Sequence, residues 1–128
     1  MMRRTLAALL PAIALTATLA PSAQAAPTPV NSPYTQASAV VHSNGELAEA
    51  KNVVSSWRVR AGEYCVKVDA GIDVAKATVL ATPNWAGGVT YRKPPHALCG
   101  NDAQSIALYT FNARGDIADV AGFTVAIL

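Results

Sequence analysis

Few side chains in this sequence are equipped for chemistry, and the cysteines come first. Cys65 and Cys99 are the whole thiol complement of the 128 residues. Two thiols can form a disulfide, ligate a metal or supply a catalytic nucleophile. Two cysteines without an accompanying histidine pattern fit a metal site or a catalytic thiol less well. With only two, a single intramolecular pairing exists, and Cys65–Cys99 is the expected disulfide. In a simple chain-entropy treatment, closing a loop of that length is worth about 4 kcal/mol. That is a large share of a total stability of roughly 5 to 15 kcal/mol.

The only histidines, His42 and His96, lie on different segments, and neither sits beside a carboxylate or cysteine pattern. HExxH, GxSxG and a phosphate-cradling glycine loop are all absent from the sequence, and each is the local signature of a particular chemistry. A dispersed Ser-His-Asp triad is recognised by geometry and not by spacing. The sequence therefore points to no catalytic residue, cofactor or metal site. Asp69 and Asp73 flank Gly71, but two carboxylates supply too few of the six to eight oxygens calcium takes. They read as turn formers. Arg114-Gly115-Asp116 spells a tripeptide that animal integrins bind, in a place where a turn between strands needs a glycine and polar neighbours in any case. The plain turn is the better reading.

Residues 84–96, NWAGGVTYRKPPH, gather the remaining chemistry. Trp85, Tyr91, Arg92, Lys93 and His96 share this stretch with two glycines. Loops placed by a rigid scaffold are where binding concentrates, and aromatic and arginine side chains are common interface anchors. These five residues form the candidate ligand-binding set. The competing role for Trp85 and Tyr91 is to cap one end of a β-sandwich as half-buried aromatics.

The elements that must position these groups begin after a leader. Met1-Met2-Arg3-Arg4, an apolar run from Leu6 to Ala20, and Ala23 and Ala25 at the −3 and −1 positions follow the grammar of a secretory signal peptide. Cleavage is expected after Ala25, since Pro27 disfavours a cut one residue later. Pro11 interrupts the apolar run, which is unlike a spanning helix of about 20 apolar residues. The expected mature protein is thus secreted and extracellular, with no membrane association after cleavage. Ten Lys and Arg face eight Asp and Glu, and Arg3 and Arg4 account for the whole excess. A near-neutral mature chain is a poor nucleic-acid binder, which would need a clustered positive surface.

The roughly 100 residues that remain suit one domain with a modest core. Residues 26–36, with prolines at 27, 29 and 33, read as an extended, flexible arm. A single β domain follows over residues 37–128. Val40-Val41-His42 leads into an Asn44-Gly45 turn, and residues 46–51 are too brief for a helix and read as one turn or coil. Residues 52–60 alternate with period two, which would put Val53, Ser55, Trp57 and Val59 on one face. After Gly62, Tyr64, Val66 and Val68 point to the core and Cys65 to the polar face. The disulfide should then fasten a loop onto that outer face. Strands are also expected near residues 74–82, 89–92, 105–112 and 120–128, the last two joined by a turn at residues 113–116. Six to seven short strands with almost no helix make an antiparallel β-sandwich or partly open barrel.

One resemblance attaches to these strands. Gly45-Glu46-Leu47, Asn52-Val53-Val54-Ser55, Arg58 leading to Gly62-Glu63-Tyr64-Cys65-Val66, Ala81-Thr82, and Phe111 to Gly115 with Gly122-Phe123-Thr124-Val125 resemble small secreted β-proteins of actinobacteria. The G-x-Y-x-V strand and a closing hairpin are similar to the β-rich tip domains of phage tail fibres and of collagen-like bacterial surface proteins. In the closing motif, Asp119 follows Gly115 at the family offset and Phe123 falls one residue late. The resemblance implies a β fold and no catalytic residue. It also implies trimers, with the apolar strand from Phe123 to Leu128 either central in a sheet or facing a partner subunit. Function is expected to be non-catalytic, by binding a cell-wall or glycan ligand or an extracellular protein, or structural. The alternative is a small secreted inhibitor of an extracellular enzyme such as a protease, presenting residues 84–99 as its loop.

Overall fold

The computed structural model describes residues 25–128, and the leader expected over residues 1–25 lies almost wholly outside them. Among the described residues nine strands are formed: β1 (Thr28–Pro29), β2 (Ala37–Val41), β3 (Leu47–Lys51), β4 (Val53–Arg60), β5 (Glu63–Val68), β6 (Val79–Pro83), β7 (Gly88–Arg92), β8 (Ser105–Phe111) and β9 (Phe123–Ile127). Two sheets result, one ordered β1-β3-β2-β9-β6 and the other β4-β5-β8-β7. All neighbours are antiparallel except β1 and β3. The all-β, disulfide-bonded sandwich is therefore the expected class, unclosed and with more strands than the six to seven foreseen. The helical content of the described residues is two single 3-10 turns, Val74–Lys76 and Ala97–Cys99.

The core forms where the inner faces of the sheets meet. Ala37, Ala39 and Val41 of β2, Tyr64, Val66 and Val68 of β5, Ile106 and Leu108 of β8, and Phe123, Val125 and Ile127 of β9 are all almost fully buried. Each set is spaced by two, as a strand with one buried face requires. The Tyr64 and Phe123 rings meet edge to face, with centroids 5.1 Å apart across the two sheets. Such a pair adds about 0.5 to 1.5 kcal/mol beyond its area.

The structure departs from the sequence expectations in four places. Residues 47–51 form a strand where a turn or coil was expected. Their helix-forming side chains are overruled by pairing with β2 and by Leu47 packing on the core. The arm is not free of the domain: Thr28 and Pro29 pair with Glu49 and Ala50, and Val30 N–H donates to Ala50 O at 3.1 Å. The Lys51 ammonium donates to the carbonyls of Ser32 and Thr35. Residues 105–112 and 120–128 do not form a hairpin, because β8 and β9 belong to different sheets. β9 lies between β2 and β6, which is the central-strand option for its apolar sequence.

The fourth departure concerns β4. Its register against β5 shifts between Val53 and Ser55 and again between Arg58 and Arg60. Val54 and Val59 are thus the extra residues of two bulges. A one-residue insertion moves every later side chain to the opposite face. Trp57 consequently lies opposite Cys65 on the outer face, 38% exposed, and Val59 is 39% exposed. Neither joins the core face assigned to it by simple alternation. Ser56 and Arg58 stand in their place, opposite Val66 and Tyr64.

Candidate functional site

β3 and β4 are separated only by Asn52, whose φ of 52° lets the chain cross from one sheet to the other. Asparagine tolerates this left-handed conformation better than most residues. Beyond that corner the edges of the two sheets diverge, and a cleft of about 680 Å³ opens between them. Leu47 and Ala48 form one side, and Val53, Val54, Ser55 and Ser56 the other. His42 and Glu46 stand at the turn between β2 and β3, and residues 25–28 of the arm form a further wall.

The end of the cleft is set by the turn between β2 and β3. Gly45 N–H donates to His42 O at 2.9 Å, and Glu46 N–H to Asn44 Oδ1 at 3.0 Å. Ser56 Oγ donates to Gly45 O at 2.5 Å, fastening the turn to β4. Gly45 has a φ of 93°, and a Cβ there would lie 2.4 Å from Arg58 N. Only glycine fits between this turn and β4. The cleft is thus bounded by backbone held in strands and a pinned turn, with the apolar side chains of Leu47, Val53 and Val54 beside the hydroxyls of Thr28, Ser55 and Ser56. That mixture and size suit a small-molecule site.

Beside the cleft, Arg58, Tyr64 and Asp119 form a polar clamp. Asp119 Oδ1 accepts from Gly62 N–H at 2.7 Å and from the Tyr64 hydroxyl at 2.8 Å. Arg58 Nε lies 3.1 and 3.0 Å from the two carboxylate oxygens, and its Nη2 is 2.9 Å from Oδ2. The Tyr64 hydroxyl is also 2.7 Å from Ser43 O, so its single proton is shared between two acceptors. Burial, reinforced by its bond to Asp119, pushes the Tyr64 phenol up to about 12. Partial burial of Asp119 works against its charge. The donors from Arg58, Gly62 and Tyr64 outweigh that, and its carboxyl lies below the ordinary carboxylate range. The clamp joins the crossover between β8 and β9 to the β4–β5 hairpin. Gly62 makes it possible: at a φ of 71°, a Cβ would lie 2.8 Å from Ala118 N. This cluster was not foreseen as a unit. Simple alternation along β4 puts Arg58 on the outward face, and the bulge that turns it toward Tyr64 has no local sequence signal.

The disulfide is formed as expected, with Cα atoms 5.8 Å apart and a separation of 34 residues. It lies on the outer face of the β4-β5-β8-β7 sheet, in a small apolar cluster with Ala107, Leu98 and Tyr109. The 3-10 turn at Ala97–Cys99 is capped by His96, whose Nδ1 accepts from Leu98 N–H at 3.1 Å. The His96 ring stands edge-on to Tyr109, with centroids 6.1 Å apart.

The five residues of the candidate ligand-binding set are not brought onto one surface. Trp85 projects from the turn between β6 and β7 and is 79% exposed. Tyr91 packs against the core from β7, paired with Leu108 and on the same inner face. Arg92 lies opposite Ala107 on the outer face, where His96 also sits. Lys93 turns away, and its ammonium donates to Ala77 O and, at 3.5 Å, to Ala75 O. Period two explains the split: consecutive residues of β7 must face opposite sides.

His42 lies in the turn between β2 and β3, and His96 lies against Tyr109 of the other sheet. Neither is hydrogen-bonded to a serine or aspartate among the described residues, although Ser105 Oγ donates to Asp102 Oδ2 at 2.6 Å. The Ser105 bond, ahead of the weaker influence of burial, holds the Asp102 carboxyl low. Asp73 lies 3.9 Å from Lys76, and the turn at Asp69 is closed by Ile72 N–H on its carbonyl. Arg114, Gly115 and Asp116 are exposed in a turn built on Asn112, whose Oδ1 accepts from Arg114 N–H and Asp116 N–H. Among the described residues no helix is long and apolar enough to cross a membrane. A formed disulfide fits an oxidising compartment. In comparisons with known proteins, no family model, curated protein or solved structure matches the chain.

Proposed function

We propose that this protein is an exported, non-catalytic module that binds a small ligand or a ligand fragment in the cleft between β3 and β4. The single observation that supports this reading is the cleft itself: about 680 Å³, walled by two strands and a pinned turn. Rigid walls reduce the ordering cost that binding would otherwise incur. Hydroxyls from Ser55 and Ser56 beside Val53, Val54 and Leu47 suit a partly polar ligand, and a cell-wall or glycan fragment is the class proposed. Incubation of the mature chain with cell-wall material and a glycan panel is the direct test. Retention is expected for the native chain and loss for Ser55→Trp, which places a bulky ring at the cleft. Equal retention by a folded Ser55→Trp variant would remove the cleft from the mechanism.

One observation favours a second reading, inhibition of an extracellular enzyme. Trp85 protrudes from a turn that is itself held: Asn84 N–H donates to Gly122 O at 2.9 Å, and Thr124 Oγ1 to Asn84 Oδ1 at 2.7 Å. A pinned turn with an exposed aromatic tip is the form a loop-presenting inhibitor takes. A protease panel separates the readings, with inhibition lost in Trp85→Ala if this one holds. An oligomer is proposed only as far as light scattering of the mature chain supports one; a strict monomer removes the trimer.

A further inference from the structure

Asn44-Gly45 is the one Asn-Gly pair in the sequence. Asparagine before glycine readily loses its side-chain amide, because glycine has no Cβ to keep its own nitrogen from reaching the neighbouring Cγ. Asn44 is exposed and Gly45 is buried. Water therefore reaches the reacting amide, while the fold holds the nitrogen that must attack it.

The turn is fastened from several sides. Gly45 N–H donates to His42 O at 2.9 Å, and Asn44 Oδ1 accepts from Glu46 N–H at 3.0 Å. The flanking carbonyls are held by the other sheet: the Tyr64 hydroxyl is 2.7 Å from Ser43 O, and Ser56 Oγ is 2.5 Å from Gly45 O. A Cβ on Gly45 would overlap the Arg58 amide nitrogen, so the turn has no slack against β4. Reaction at Cγ requires Gly45 N to leave His42 O and the peptide between residues 44 and 45 to rotate. The anchors oppose both movements.

We propose that Asn44 is a site of covalent self-modification, deamidation, which the pinned turn keeps closed in the folded protein. In the opened turn, Gly45 N gives its proton to solvent and attacks Asn44 Cγ. A C–N bond forms, Nδ2 leaves as ammonia, and a cyclic imide remains. Water then opens the ring at one carbonyl or the other, leaving aspartate or isoaspartate at position 44. Either product changes its surroundings. Asn44 shares a hollow with Ser43, Arg58 and Asp119, so the new carboxylate competes for Arg58 and repels Asp119. Isoaspartate also adds one atom to the main chain of a turn without slack, and so displaces the turn that ends the cleft. None of this depends on what the cleft binds.

The test is incubation of the full chain at neutral pH, with peptide mapping of aspartate and isoaspartate at position 44. The native chain is compared with the urea-unfolded chain, with Ser56→Ala, which releases Gly45 O, and with Tyr64→Phe, which releases Ser43 O. The unfolded chain should convert at least about tenfold faster than the native one. Ser56→Ala should convert about fivefold faster, the factor that one lost hydrogen bond gives, with hydrogen exchange at Gly45 rising in step. Conversion in the native chain as fast as in urea, or unchanged rates in both variants, overturns the proposal. Asn44→Asp tests the consequence separately. Exchange of the Gly62 amide, which Asp119 holds, should rise about twofold, a small factor because the hollow is open to solvent. An unchanged Gly62 in that variant overturns the link to Asp119.

Discussion

Tyr64 and Cys65 are neighbours on β5 that point to opposite faces, and each ties an irregular segment to the sheet. Tyr64 holds the β8–β9 crossover through Asp119, by hydrogen bonds to a carboxylate that Arg58 and Gly62 also engage. Cys65 holds the segment after β7 by a covalent bond to Cys99. The two fastenings differ in how they fail. The clamp is made of bonds that water and protons can compete for, whereas the disulfide constrains the chain whatever the pH. The clamp joins the two sheets near the core, while the disulfide covers one outer face. Loss of the clamp should therefore affect the sandwich as a whole, and loss of the disulfide mainly one side of it.

The largest effect is expected from replacing both cysteines by alanine. Stability should fall by about 4 kcal/mol, mostly through the unfolded state. Hydrogen exchange should rise first in residues 93–104 while the far-ultraviolet β signal persists. Loss of the whole β signal on mild reduction would mean that the disulfide supports the sheet and not just the segment. Asp119→Ala should cost less, about 2 kcal/mol, because three donors lose an acceptor but the site is partly solvated. Its denaturation should show one transition for both sheets. A variant that loosened only residues 112–122 would contradict the contrast drawn above.

Proton competition distinguishes the fastenings further. The Asp119 pKa is lowered by folding, so its contribution is complete above the ordinary carboxylate value and is lost as pH falls through the lowered one. The Tyr64 pKa is raised to about 12, so its contribution is complete below pH 10 and disappears between about 10 and 12. Asp119→Asn should flatten the acid limb of a stability-against-pH curve, and Tyr64→Phe the alkaline limb. Both limbs should survive in the cysteine-free variant. The smallest effect is expected at Trp57. On the bulged strand its ring lies outside the core, and Trp57→Ser should cost below about 1 kcal/mol in place of the roughly 3 to 5 typical of a buried tryptophan. A loss in the core range would place the ring inside and remove the first bulge.

The two fastenings were unequally legible. The disulfide followed from a count: two cysteines allow one pairing, and alternation along β5 puts Cys65 opposite in sense to Tyr64. The clamp could not be read the same way. Arg58, Tyr64 and Asp119 are far apart in sequence, and simple alternation along β4 turns Arg58 outward. The cleft was hidden for a related reason. Its walls include residues 46–48, which carry helix-forming side chains, and residues 25–28 of an arm whose prolines at 27, 29 and 33 suggested free chain. The binding set of residues 84–96 was drawn from composition, and the pleat of β7 then divided it between two faces.

By itself the sequence determined what depends on local pattern. Period-two alternation and turn residues specify the β class, the β4–β5 hairpin around Gly62 and the buried faces of β5 and β8, because each needs only neighbours along the chain. Tertiary structure decided what depends on register and sheet assignment. One extra residue in β4 reverses which side chains are buried, and the single asparagine at position 52 moves the chain between sheets. Those choices are made by the total burial and hydrogen bonding of both sheets, a sum that no window of sequence contains.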